Sequence, residues 1–271
     1  MKVYLGLVHN NSAHVGDVKN EIETLKLVLQ KDGKDVEIGY SSYQPEIHNH
    51  SVFRFLKRRF EYFKLMLKWN AHKESGGQFR FFISSFLWFL RVVDLKKLTR
   101  HSIIETFVTD KHLRLWFSAI EDSDYIVIFE DDVIFKKESI SNLEKVINFA
   151  EASENKILYF DLAGGLDIKA LGISGLKVFD NISDELSSIG AVHYEKIVTN
   201  TACGYMLSKG LLKEFLAILI ENPSYRDTSI DWLMNRLSIE MKNHQRESFH
   251  FNPPIFNHGS FTGEYQSWQD K

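Results

Sequence analysis

The run Ser123-Asp124-Tyr125-Ile126-Val127-Ile128-Phe129-Glu130-Asp131-Asp132-Val133-Ile134-Phe135 constrains this chain more than any other segment. Consecutive apolar, β-branched and aromatic residues predict a buried strand. It ends in three carboxylates. Acids that close a buried strand repel one another and lose hydration unless a cation neutralises them. A hard divalent ion with oxygen ligands, Mn²⁺ or Mg²⁺, is the natural partner. Such an ion clamps phosphate, so the motif points to a nucleotide or another phosphorylated substrate. Strand alternation puts Glu130 and Asp132 on one face and Asp131 on the other. A merely solvated strand end is the competing reading, and the second apolar run directly behind the acids argues against it.

The flanking pattern predicts an α/β fold. Val3 to Val8 reads as a first strand, ending in His9-Asn10-Asn11. Ile22, Leu25 and Leu29 lie at helical spacing within 18–30, and Asp32-Gly33 stops that helix. Val36 to Tyr40 reads as the next strand, which completes a βαβ unit and implies a parallel sheet. Further helices are expected around 110–120, 141–150, 209–220 and 231–241, with strands at 156–162 and 196–207. Residues 252–260 read as a loop crossing the protein. The N-terminal apolar run is too short for a signal-peptide core, and no segment has the roughly 20 apolar residues a bilayer span needs. The expectation is one catalytic domain over 1–271, located in the cytoplasm.

Charge divides the chain. The stretch 51–101 carries twelve Lys/Arg against Glu61, Glu74 and Asp94, a balance of +9. The whole chain carries −3, so the remainder carries −12. Phe53, Leu56, Phe60, Phe63 and Leu67 recur at helical spacing among Arg54, Lys57, Arg58, Lys64 and Lys68. A basic, aromatic helical insertion suits either an anionic membrane surface on the inner leaflet or packing within the protein. Nucleic acid is not the expected partner, because the body is acidic and no recognition motif is present. The single cysteine, Cys203, excludes an intrachain disulfide and sits among small residues as a buried packing position.

Thr109-Asp110-Lys111-His112-Leu113-Arg114-Leu115-Trp116, the Phe129-Glu130-Asp131-Asp132-Val133 tip and Asn200-Thr201-Ala202-Cys203-Gly204-Tyr205-Met206-Leu207-Ser208 together are similar to glycosyltransferase family 25, the lipooligosaccharide-biosynthesis type. The resemblance extends over roughly 100–260. It implies a GT-A fold, a Rossmann-like, mostly parallel mixed sheet flanked by helices, binding a nucleotide sugar through a metal. It makes Asp132 the principal metal ligand, with Glu130 and Asp131 holding ribose, sugar or the metal's other side. It also implies that a tail histidine, His258, completes the metal site, although a surface histidine is the plain alternative. The catalytic base would stand at the start of the 231–241 helix: Asp231 first, Asp227 in reserve. A first-turn acid also complements a helix dipole, which is the other reading of Asp231.

The remaining candidates follow from position. Open α/β sheets bind ligands at the carboxyl ends of their strands. His9, Asn10 and Asn11 would therefore line the base or ribose, and Asp161 with Gly164 and Gly165 would approach the sugar. Lys111 and Arg114 read as exposed helix charges, with diphosphate neutralisation as the alternative. The expected activity is transfer of a hexose from a nucleotide sugar, a UDP-sugar, to a glycan or lipid-linked glycan of bacterial lipopolysaccharide or capsule, with inversion implied by the family. A nucleotide-sugar hydrolase or phosphotransferase would use the same acids, and a non-catalytic scaffold would keep the fold without the chemistry.

Overall fold

The computed structural model describes residues 1–42, 56, 60, 64, 83, 95–164, 178–180, 182–199, 201–242 and 246–265. Its strands are β1 (Lys2–Val8), β2 (Asp35–Ser41), β3 (Tyr125–Glu130), β4 (Val133–Ile134), β5 (Leu158–Asp161), β6 (Val178–Phe179), β7 (Ala191–Tyr194), β8 (Gly204–Ser208), β9 (Glu247–Phe251) and β10 (Asn257–His258). Its helices are α1 (Val15–Lys31), α2 (Leu95–Ala119), α3 (Ser139–Ala152), α4 (Asp184–Ser187), α5 (Lys209–Glu221), α6 (Ile230–Glu240) and α7 (Gly259–Thr262), with a 3-10 turn at Pro223–Asp227.

Eight strands form one sheet in the order β2-β1-β3-β8-β5-β9-β7-β6. Parallel pairing joins β1 to β2, β1 to β3, and β5 to β9. The other pairings are antiparallel, so β8 and β7 run against the remaining strands. This is the mostly parallel, helix-flanked sheet the resemblance implies. The chain leaves β1 in one direction to make β2 and returns on its other side to make β3. That reversal opens a crevice at the carboxyl ends of β1 and β3, the place where such sheets take ligands.

Strand parity sorts the core into two layers. Val3, Leu5 and Leu7 of β1 and Tyr125, Val127 and Phe129 of β3 join one cluster with Val18, Ile22, Leu25 and Leu29 of α1 and Leu143, Val146, Ile147 and Ala150 of α3. Tyr4, Val8, Ile126 and Ile128 face the other way, onto Leu113, Leu115 and Trp116 of α2 and the buried faces of α5 and α6. A sheet covered on both sides requires near-continuous apolar runs, as residues 3–8 of β1 and 125–129 of β3 are. Gly33, at φ +78°, turns the chain out of α1 in a conformation that other L-residues resist.

Two expectations change. The strand foreseen over 196–207 is only β8, Gly204–Ser208. Upstream, the Asn235 side chain takes both backbone groups of Thr199, accepting from its N–H at 2.8 Å and donating to its carbonyl at 2.7 Å. The backbone is thereby satisfied without a ladder. The tail is not wholly a loop, because β10 pairs with β4, His258 opposite Val133, and α7 follows. The insertion at 51–101 falls largely outside the described residues; Leu56, Phe60, Lys64 and Ile83 within it are helical and exposed. Among the described residues no helix is long and apolar enough to cross a membrane.

Candidate active site at the crevice

Parity carries Glu130 onto the α2 side of the sheet, where it meets a buried polar chain. His112 Nε2 is 2.9 Å from Glu130 Oε1, and His112 Nδ1 is 2.8 Å from the Tyr205 hydroxyl. Trp116 Nε1 donates to the same hydroxyl at 2.9 Å. The indole can only donate, so the Tyr205 oxygen accepts from it and the phenol proton can serve His112 Nδ1. The imidazole proton then sits on Nε2 and points at Glu130. Burial holds His112 neutral, pushing its pKa down to about 3. The contact with Glu130 is therefore a hydrogen bond to a neutral imidazole, not an ion pair.

Glu130 itself is pushed up to about 8, first by burial and then by the carboxylate of Asp132, with His258 opposing. Asp131 and Asp231 add to the same rise. The start of α6 is thus within electrostatic reach of the acid cluster, while Asp227 ends the 3-10 turn before it. Removing the hydroxyl tests the polar chain. Tyr205→Phe orphans the Trp116 N–H and His112 Nδ1 and should cost roughly 2 to 4 kcal/mol in thermal or urea unfolding.

Asp131 turns the other way, as alternation predicts. Its Oδ2 accepts the backbone N–H of Asn10 at 3.0 Å. Lys111 Nζ donates to the His9 carbonyl at 2.9 Å and to Asn10 Oδ1. Lys111 is 2% exposed, so the reading of it as a surface charge is corrected. It braces the end of β1 against β3, and burial lowers its pKa to about 8 while Asp131 and Glu130 oppose that fall. Arg114, on the outer face of α2, is exposed as expected. His9 is buried and held below the usual imidazole range by desolvation and Lys19. Asn11, at φ 57°, adopts the left-handed conformation that asparagine tolerates, and its N–H meets His9 Nδ1 at 3.3 Å.

The tail delivers His258 to Asp132. The β4–β10 ladder and the Gly259 N–H, donated to the Asp132 carbonyl at 2.8 Å, pin it there. Glycine is required at 259, since a Cβ would come within 2.8 Å of that carbonyl oxygen and 2.2 Å of the Tyr265 ring. His258 Nδ1 lies 3.6 Å from Asp132 Oδ2, which also accepts from Ser260 Oγ at 2.7 Å. Asp132 Oδ1 and His258 Nδ1 are buried with no hydrogen-bond partner. The third atom beside them is the thiol of Cys203, and one donor atom from each of the three residues lies within 4.8 Å of the others. Two orphaned donors and a mixed O, N, S set fit a divalent cation. Glu130 stands close by, with one oxygen engaged by His112.

Asp161 ends β5 as predicted but is 2% exposed. Thr199 Oγ1 donates to it at 3.3 Å, and His250 Nδ1 is 3.5 Å away. Burial raises its pKa to about 7, against backbone hydrogen bonds from Ala163 and Gly164. A Cβ at Gly164 would meet nothing nearer than 3.8 Å. Gly165 lies outside the described residues. The crevice thus gathers His9, Asn10, Glu130, Asp131, Asp132 and His258. His112 and Tyr205 join it without a role having been assigned to them, and Lys111 and Cys203 join it in place of the exposed charge and the packing position the sequence suggested.

Residues 110–234, just under half of the chain, match the family described as glycosyltransferase family 25 (LPS biosynthesis protein). The matched region belongs to glycosyltransferase family 25. It contains Lys111, His112, the acid triplet, Cys203, Tyr205 and Asp231, while His9 to Asn11 and His258 lie outside it. Likeness to family 25 over this region supports a transferase that takes a sugar donor and an acceptor. No individual curated protein matches the chain.

Proposed function

We propose that the chain transfers a hexose from a nucleotide-sugar donor, a UDP-sugar, to a hydroxyl of a glycan acceptor in lipopolysaccharide, lipooligosaccharide or capsule, inverting the anomeric centre. The observation that carries this reading is the convergence of Glu130, Asp131, Asp132 and His258 at the β1/β3 crevice of a family 25 region. His9, Asn10 and Asn11 border the base and ribose, and Asp161 and Gly164 border the sugar. A bound divalent cation, Mn²⁺ or Mg²⁺, would supply charge neutralisation for the departing diphosphate. Asp132 and His258 would hold it, with Glu130 beside them on its hydrogen bond to His112. Asp231, at the first turn of α6, accepts the acceptor's hydroxyl proton as that oxygen attacks.

Acceptor-dependent release of UDP from a panel of UDP-sugars tests the reading. Equal release without acceptor would favour the hydrolase instead. Asp231→Asn should lower kcat about 10²-fold while leaving donor affinity unchanged in calorimetry. A change in affinity with kcat intact would remove Asp231 from the proton transfer. The exposed, helical Leu56, Phe60 and Lys64 extend the proposal to peripheral binding of an anionic bilayer. The protein should float with acidic vesicles and not with neutral ones, and equal recovery from both would refute this.

A further inference from the structure

We infer that the Cys203 thiol is a ligand of the cation at this centre, making it a mixed carboxylate–imidazole–thiolate site that prefers Zn²⁺, Co²⁺ or Fe²⁺ over Mg²⁺. The inference rests on the metal-centre reading above and adds the donor that sets its selectivity. Cys203 is fully buried, immediately before β8, at the antiparallel seam against β3. Its carbonyl accepts the Glu130 N–H at 2.8 Å, which fixes the cysteine backbone to the strand that bears the acids. Its sulfur, a carboxylate oxygen of Asp132 and a ring nitrogen of His258 all lie within 4.8 Å of one another. Asp132 Oδ1 and His258 Nδ1 are buried without hydrogen-bond partners, which leaves two ligand atoms of the cluster available to an ion.

The donor chemistry follows. Mg²⁺ takes oxygen ligands and keeps its waters, so sulfur and imidazole suit it poorly. Thiolate and imidazole together favour later first-row ions, in the order that rises from Mn²⁺ through Fe²⁺ and Co²⁺. Three protein donors leave coordination positions open, the pattern of a catalytic rather than a structural site. With no cation present, burial and the carboxylates of Asp132 and Glu130 hold the thiol protonated. A coordinated ion reverses that balance and releases the thiol proton to solvent as the sulfur–metal bond forms.

Cys203 is the chain's single cysteine, so any sulfur–metal signal reports on this position alone. Co²⁺ titration of the purified protein under anaerobic reducing conditions should produce a near-ultraviolet sulfur-to-cobalt charge-transfer band, saturating at one ion per chain. Cys203→Ser and Cys203→Ala should abolish the band and lower the preference for Co²⁺ over Mn²⁺ by at least on the order of tenfold in calorimetry. Asp132→Asn and His258→Gln should weaken the band while the thiol remains, which keeps the test open if the cysteine variants fail to fold. Co²⁺ binding at full affinity with no such band would overturn the thiolate ligand and leave the metal centre standing. Failure of both Co²⁺ and Mn²⁺ to bind would overturn the centre itself.

Discussion

Asp132→Asn is expected to abolish sugar transfer without harming the fold. Its carboxylate has one buried oxygen without a partner and a second shared between Ser260 and His258. Asparagine keeps the volume and removes the charge that would hold the cation. Acceptor-dependent UDP release at saturating donor and Mn²⁺ should fall about 10²- to 10³-fold, the usual effect of deleting one electrostatic stabiliser. The melting temperature should hold or rise, because Asp132 is the largest charge among the causes raising Glu130, after burial itself. Loss of activity joined to unchanged or greater stability marks a residue held for function against its neighbours. Retention of more than a tenth of wild-type transfer would remove Asp132 from the proposed centre.

The second large effect is on stability against pH, measured on EDTA-treated protein. Glu130 is raised from 4.5 to about 8, and Asp161 from 3.8 to about 7, each chiefly by burial. An acid with a raised folded pKa binds its proton more tightly folded than unfolded. Its contribution is complete below the unfolded pKa and is lost as pH climbs through the folded one. His112 and His250, lowered from 6.5 to about 3, act oppositely, and their contribution is lost as pH falls from 6.5 towards 3. The two trends oppose each other below 6.5. Between 6.5 and 8 Glu130 and Asp161 carry the largest difference, because Lys111, lowered to about 8, acts mainly above that window.

Unfolding free energy should therefore decline from pH 6.5 to 8, with a slope approaching about 1.4 kcal/mol per pH unit where one group carries the difference. Glu130→Gln preserves an oxygen for the His112 Nε2–H and cannot ionise. It should flatten the decline between 7 and 8, leaving the Asp161 portion below 7. Urea unfolding across that range measures this, and a variant curve parallel to wild type would show that Glu130 ionises normally.

Much of the architecture was legible because it depends on local pattern. The apolar run of β3, the 3.6-residue spacing of α1 and the parity that separates Glu130 from Asp131 follow from adjacent residues. What escaped depends on pairing distant in sequence. His112 and Trp116 stand one turn apart on α2, yet their shared target, Tyr205, comes from β8, which pairs with β3 only after the chain reverses. Lys111 looked like an outer helix charge because nothing local reveals that the end of β1 lies against it. Cys203 was correctly read as buried; its company of Asp132 and His258 arises only when the sheet and the tail close together. The strand over-read at 196–207 failed for a different reason, since a side chain from α6 answers the backbone of Thr199.

The two-residue ladder between β4 and β10 has a consequence for biogenesis. Strand β3 and its acids emerge from the ribosome well ahead of the imidazole that meets Asp132, which follows every strand of the eight-stranded sheet in the chain. A nascent or prematurely terminated polypeptide that stops short of residue 257 can assemble the sheet yet leaves that imidazole absent. Competence is thus withheld until the sheet already stands.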